Sequence, residues 1–425
     1  MLGFFAPSHA VTLEEAVSES LKNSNEIAAS KQSWLAAREG LYSKQSSNEH
    51  ELKFSGSGSF SQTYDSSDWS TSNTYSNKIT LSKTIYDFGK SDQNIVLAKL
   101  QLDSAFAKYK SVEQQAILKT VKAYLNLIKV KQESQLNQKN ISRLAAHVEA
   151  ARLRVSEGTD TPTRVAEARS QFLQAKADEA RANAKLRNAE DLFERLTGLN
   201  KSQMANVKDL PKFNPNLPED EESTAIIAGK NNHDVLTSLI GEQIASQSIQ
   251  TFKAQQKPGV SFSLSATEGQ SSDGWSASVS VSAPLYSGAS TEADARKMVA
   301  DHSSARINLQ EVRHKARVEA RSAFRDWEAA NIYLEAVTSG AAASRMVANG
   351  VRDEVKYGLK TTLDLLDVEK NVNDAELRLI NAEHDKLVAA FSLMAVIGSL
   401  SAEAVGVADV SSSLDDLPRP PNPLD

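Results

Sequence analysis

LSKTIYDFG at residues 81–89 is answered by VSAPLYSGA at residues 281–289, and this pair decides how the rest of the chain is read. Tyr86 falls on Tyr286. The same offset of 200 carries Ala123-Tyr124 onto Ala323-Phe324, Gly158 onto Gly358, Thr161 onto Thr361 and Gly198 onto Gly398. Most other positions differ, so the halves share a geometry more than a sequence. A 425-residue chain would ordinarily hold two or three globular domains. Here an internal structural duplication points to one architecture built twice.

Just upstream of each anchor the apolar period is two. From Trp275 the odd positions are Trp275, Ala277, Val279, Val281, Ala283 and Leu285, and the even ones are Ser276, Ser278, Ser280 and Ser282. Before it, Val260, Phe262, Leu264 and Ala266 alternate with Ser261, Ser263 and Ser265, and Glu268 to Gly274 supply turn residues. Alternation on both sides of a turn predicts a hairpin over about 260–286. In the first copy, about 52–86, Leu52, Phe54, Gly56, Gly58 and Phe60 face away from Ser55, Ser57, Ser59 and Ser61. A polar loop is expected around Asp65 to Asn73, with a return through Ile79, Leu81 and Ile85. Lys83 breaks the apolar face and is expected near a membrane–water boundary. The first hairpin is the longer, with 29 positions from Leu52 to Leu81 against 21 from Val260 to Val281.

Downstream of each anchor the apolar spacing changes to three and four. Residues 91–157 contain neither Pro nor Gly, which predicts a helix of 67 residues, about 100 Å long at 1.5 Å per residue. Residues 291–357 match it, interrupted only by Gly340 and Gly350. Shorter helices are predicted over 13–49, 162–197, 219–253 and 362–397. The stripe Ile117, Val121, Tyr124, Leu125 and Ile128 needs other helices to cover it, which implies a coiled-coil wall. Composition agrees, with 40% hydrophobic and 6% aromatic residues and long stretches dominated by Ala, Ser, Gln, Lys and Glu.

Strands with one apolar and one hydroxyl face fit a soluble sandwich and an outer-membrane barrel alike. The context separates them. Four strands are too few to close a barrel, whose minimum is about eight, and no second sheet exists for them to pack on. A bilayer does not tolerate an open sheet edge, so closure needs further copies of the chain, and three copies give twelve strands. No apolar run approaches the roughly 18–20 residues of a membrane-spanning helix.

The ordered set VTLEEAVSESLKNSNEI (Val11 to Ile27), LSKTIYDFG, VSAPLYSG, VEQQAILKTVKAYLNL (Val112 to Leu127), EGTDTPTRVAEA (Glu157 to Ala168) and YGLKTTLDLLDVEKNVNDAELRLINAEHDKLVA (Tyr357 to Ala389) resembles the TolC family of outer-membrane efflux and secretion channels over nearly the whole chain. The resemblance implies an α+β membrane protein, a homotrimeric channel-tunnel whose 12-stranded β-barrel continues into a 12-helix coiled-coil barrel. The strand face Phe54, Phe60, Ile79, Leu81, Ile85, Val260, Phe262, Leu264, Trp275, Val279, Val281 and Leu285 would meet outer-membrane lipid. Repeat 1 would span 11–198 and repeat 2 223–398. An equatorial connector, 199–222, would carry Pro211, Pro215 and Pro218, and 399–425 would hold a further equatorial segment and a Pro-rich tail. The duct would work with a periplasmic adaptor and an inner-membrane transporter of the RND or ABC type. Docking would use the helix-turn tips at Gly158, Thr159, Thr161, Gly358 and Thr361. The gate would use Asp364 and Asp367, three apart and so on one helical face, with Lys360 as the latch residue. Threefold rings of these aspartates would attract cations and raise one another's pKa; the plainer reading makes them solvated helix N-terminal residues favoured by the dipole. Arg164 departs from the family pattern by standing where an acidic latch partner is common, which suggests pairing with Asp364 or Asp367.

Chemistry is not visible elsewhere. Asp87-Phe88-Gly89 lacks any catalytic-loop partner, and Gly56-x-Gly58 lacks the third glycine of a dinucleotide fingerprint. The seven histidines form no i, i+4 pair, no serine sits in a GxSxG frame, and there is no cysteine. No enzyme activity, cofactor or metal is expected. The net charge of −6 is interspersed, leaving no basic stripe for nucleic acid. Residues 1–10, with Ser8-His9-Ala10, read as the tail of an export signal or a flexible N-terminus. A structural or adhesive trimeric coiled coil without a pore is the competing function, and conductance across a bilayer separates the two.

Overall fold

The computed structural model describes residues 11–47, 49–65, 68–159, 161–204, 207, 217–270, 273–285 and 288–407. The expected N-terminal signal segment, Pro211 and Pro215 of the connector, Tyr286 and the Pro-rich tail lie outside the described residues. The described residues form two compact units, one within 11–29, 110–235 and 313–407 and the other within 30–109 and 236–312.

The second unit holds one antiparallel sheet of four strands in the order β1-β2-β3-β4: β1 Glu51–Asp65, β2 Asp68–Tyr86, β3 Gly259–Gly269 and β4 Gly274–Ser282. The register puts Phe54 opposite Ile79, Ile79 opposite Ala266 and Ala266 opposite Trp275. Side chains alternate between faces, so Leu52, Phe54, Phe60, Ile79, Leu81, Val260, Phe262, Leu264, Trp275, Val279 and Val281 share one face, and the serines share the other.

Three expectations change here. Residues 68–73 are strand, not loop: Gln62 pairs with Thr71 and Tyr64 with Trp69, because hydroxyl-rich alternation continues to the turn and Tyr64 and Trp69 stack with centroids 5.1 Å apart. Ile85 sits in a register shift between Thr84 and Tyr86, a bulge that brings Tyr86 opposite Val260. Leu285 lies beyond β4, following Pro284, which has no N–H to extend a ladder.

Eight β1–β2 pairs, Gly58 with Tyr75 through Asp65 with Asp68, run past Ser76 and Gly269, the outermost β2–β3 pair. The extra length of the first copy is therefore a two-stranded ribbon.

The long helices are α3, Lys90–Ser156, and α8, Ala289–Lys356, followed by α4, Pro162–Thr197, and α9, Thr362–Val396. Where single helices were expected over 13–49 and 219–253, the chain has α1 Leu13–Asn23 then α2 Asn25–Ser46, and α6 Glu221–Asn231 then α7 His233–Gln255, with the four-residue α5 at Lys201–Met204. The breaks at Ser24, in extended conformation, and at Asn232, with ψ +135° outside the helical range, pack on the ends of α4 and α9. Asn23 donates from Nδ2 to the Thr197 carbonyl at 2.8 Å, and Asn232 donates from Nδ2 to the Val396 carbonyl at 2.9 Å. Gly198 and Gly398 both take φ +75°, and a Cβ on Gly398 would lie 2.2 Å from the Asn231 carbonyl oxygen. Only glycine fits there. The breaks are 208 apart while the anchors beyond the hairpins are 200 apart, so the eight-residue excess falls in the ribbon.

In the helical unit the α3 stripe Ile117, Val121, Tyr124, Leu125 and Ile128 is buried. Tyr124 meets Phe193 of α4 with centroids 6.1 Å apart, and the Thr120 hydroxyl donates to Ser20 of α1 at 2.7 Å. The second copy repeats the arrangement with Ala320, Phe324, Leu393 and Ile397 around Ala228. On α4 the buried alanines fall at 168, 175, 182 and 189. A small residue every seven positions keeps the seam on one side of a coiled coil.

Candidate functional site: two helix turns and a two-faced sheet

Both helix turns end their long helix in the same way. Thr159 N–H donates to the Arg154 carbonyl and Gly158 N–H to Val155, as Leu359 donates to Glu354 and Gly358 to Val355. These are the paired bonds of a Schellman cap, which needs the left-handed residue supplied by Gly158 at φ +74° and Gly358 at +72°. The Arg154 guanidinium also donates to the Thr362 hydroxyl, which ties the end of α3 to the start of α9.

The helices after the turns begin differently. Thr161 makes no side-chain capping bond and Pro162 takes the first turn. Thr361 forms a capping box: its hydroxyl oxygen accepts from Asp364 N–H at 3.2 Å, and the Asp364 carboxylate accepts from Thr361 N–H at 2.8 Å. The Asp364 carboxyl is held below its ordinary pKa, first by the Thr361 side-chain and backbone hydrogen bonds and then by the charges of Lys360 and Arg164. Within one protomer this is opposite in direction to the raised pKa expected of a like-charge ring, because the capping bonds favour the ionised form. Asp367 and Lys360 are exposed. Arg164 pairs with Glu167 at 3.4 Å, while lining a crevice with His147, Thr362, Leu363 and Leu366. Gly158, Thr159, Thr161, Gly358 and Thr361 are all exposed.

Sequence reasoning missed the strongest charge cluster. Glu369 on α9 is 5% exposed and accepts from His147 Nε2 at 2.9 Å and Arg352 Nη2 at 3.1 Å, with Arg143 Nε at 3.6 Å. Burial pushes its carboxyl up, but the hydrogen bonds from His147 and Arg352 and the charges of His147 and Arg143 outweigh that and hold it low. One carboxylate thus joins α3, α8 and α9. Its sequence signal was the basic pair Arg143 and His147, one turn apart on α3, which reading histidines only as metal ligands passes over. Among the described residues no group of His, Cys, Asp and Glu could hold a metal.

The apolar face of the sheet is exposed in the single chain, with Trp275 at 79%, Val281 at 70% and Phe60 at 69%. The other face is a ladder of hydroxyls: Ser263 meets Ser278 at 2.8 Å, Ser265 meets Ser276 at 2.9 Å and Ser59 meets Thr74 at 2.6 Å. A soluble sheet would bury the apolar face against a layer of its own.

The family model described as outer membrane efflux protein matches residues 16–199 and 227–399. The outer membrane efflux protein BepC of Brucella suis is 27% identical over 343 residues, 77% of this chain and 73% of that one. The outer membrane protein TolC of Escherichia coli is 22% identical over 424 residues, 94% of this chain and 84% of that one. Among solved structures, the Campylobacter jejuni CmeC outer membrane channel superposes with a TM-score of 0.79 at 16% identity, over 95% of this chain and 88% of that one. The Neisseria gonorrhoeae MtrE outer membrane channel in its open state gives 0.76 at 17% identity, over 92% and 90%.

Proposed function

The chain belongs to the outer membrane efflux protein family, and from that membership we propose how its sheet and its helix turns divide the work of an exit duct. The protein resides in the outer membrane and conducts substrate outward from the periplasm, with the fold of a trimeric channel-tunnel. The observation that carries the division is the register-locked sheet, apolar on one exposed face and hydroxyl on the other. Three copies close twelve strands, with the apolar face against lipid and the serines around water. Lys83, alone among its apolar neighbours, lies at the lipid–water boundary, where its amine reaches the headgroups.

The helix turns serve as the periplasmic end. Gly158, Thr159, Thr161, Gly358 and Thr361 form the surface for a periplasmic adaptor, which links the duct to an inner-membrane transporter of the RND or ABC type. Asp364, Asp367, Lys360 and Arg164 form the gate. Opening would release Arg164 from acidic partners across the threefold axis.

Reconstitution of the trimer in a planar bilayer tests both levels. The wild type is expected to conduct with small unitary steps, and Arg164→Ala with steps several-fold larger. A protein that inserts no pores overturns the duct, and equal steps from wild type and Arg164→Ala overturn the gate alone.

A further inference from the structure

We propose that Lys53 and Lys78 form a cationic belt in the strand section of the duct and give it a preference for anionic solutes. This rests on the reading of the hydroxyl face as the lumen. The register fixes both lysines on that face. Lys53 pairs with Thr80, and Thr80 with Ser265; Lys78 pairs with Ser55 and with Thr267. The two are diagonal neighbours on adjacent strands, about 7–8 Å apart. Both side chains are exposed, and neither joins an ion pair among the described residues.

No acidic residue stands opposite either lysine. Glu51, the first residue of β1, shares the face one inward-pointing position below Lys53, opposite Ser82. Asp68, with Asp65 opposite it, lies at the ribbon's turn, ten residues along β2 from Lys78, or about 34 Å at 3.4 Å per residue. Lys83 and Glu268 fall on the apolar face. At the level of the belt, three copies therefore place six lysines against three glutamates, and the wall between the belt and the aspartates of the ribbon's turn is serine and threonine. A pore through low-dielectric lipid focuses such a field on its axis, which concentrates counter-ions there. The lysine stem is long enough to reach an anion without ordering the pore, so the belt favours passage of anions and loose binding of multivalent ones.

The test is current through reconstituted trimers with inorganic tripolyphosphate added at the extracellular side. Tripolyphosphate is expected to reduce the wild-type current at low ionic strength and less so at high, where screening shortens the field. The double variant Lys53→Gln/Lys78→Gln is expected to need at least tenfold more tripolyphosphate, each single variant less, and Lys83→Gln no more than wild type. Only inserted, conducting channels report, so misfolded protein cannot mimic relief of block. A conducting wild type insensitive to tripolyphosphate overturns the proposal, as does block that survives in the double variant or is relieved equally by Lys83→Gln. A wild type that forms no pore overturns the duct reading and this proposal together.

Discussion

The helices α4 and α9 follow turns of the same geometry, with Schellman glycines at φ +74° and +72°, yet they carry opposite charges at matched positions. Arg164 answers Asp364 and Arg169 answers Glu369, across the offset of 200. Arg169 is exposed, whereas Glu369 is buried among basic side chains from two other helices. The backbone of the repeat was retained and its electrostatics were not. A turn fixed by left-handed glycines tolerates any charge beside it, so the two copies are free to specialise: α4 keeps its charges in solvent, and α9 uses one as the tie between α3 and α8.

The sharpest way to break this contrast is at 169 and 369. Glu369→Ala deletes a buried carboxylate and its hydrogen bonds from His147 and Arg352 while leaving arginines that water still reaches, a loss of about 1.5–3 kcal/mol, whereas an exposed surface change stays within about 0.5 kcal/mol. Glu369→Ala should therefore destabilise the helical unit, read as lost protection in amide hydrogen exchange over α9, and Arg169→Ala should not. The pH sign follows from the lowered carboxyl of Glu369. A group whose folded pKa is depressed stabilises above its unfolded value and loses that contribution as pH falls through the folded one. Protection of α9 should fall on acidification from neutral pH to below the ordinary glutamate range, and Glu369→Gln should flatten that dependence. Equal protection in Glu369→Ala and Arg169→Ala would erase the distinction between the copies.

Much of this was legible in the sequence because periodicity is a local signal. The serine alternation from Trp275 and the proline-free run 91–157 each need only their own residues to be read. The helix breaks at Ser24 and Asn232 were not legible, since one Ser or Asn inside a helical pattern does not by itself end the helix and both breaks depend on the close approach of Gly198 and Gly398 from distant sequence. The ribbon over 68–73 was read as loop because Asp68, Ser70, Ser72 and Asn73 favour turns, a preference that cross-strand pairing with β1 overrides. The proposed gate was legible as a set of charges but not as bonds. Asp364 was placed on a ring by its spacing from Asp367, and the protomer shows it first of all as half of a capping box. Glu369 was invisible because its three basic partners come from residues 143, 147 and 352, which no local pattern joins.

The smaller test separates the two helix starts. Thr361 and Thr161 occupy the same N-cap position, but only Thr361 caps with its side chain. Losing a threonine cap costs about 1 kcal/mol, so Thr361→Ala should speed exchange in the first turn of α9 about fivefold, the ratio equivalent to that energy. Thr161→Ala removes no capping bond, and Pro162 already presets φ for the first turn of α4, so exchange there should hardly change. Thr361→Ala also removes the hydroxyl that contributes most to the lowered pKa of Asp364, so that carboxyl should titrate closer to its ordinary range in the variant. If both alanine variants accelerated exchange equally, the caps would be equivalent and the charge reversal at 164 and 364 would have no structural counterpart at the helix starts. If only Thr361→Ala does so, the second copy's turn is held by a bond that protonation of Asp364 weakens, and the first copy's turn is held by its proline at every pH.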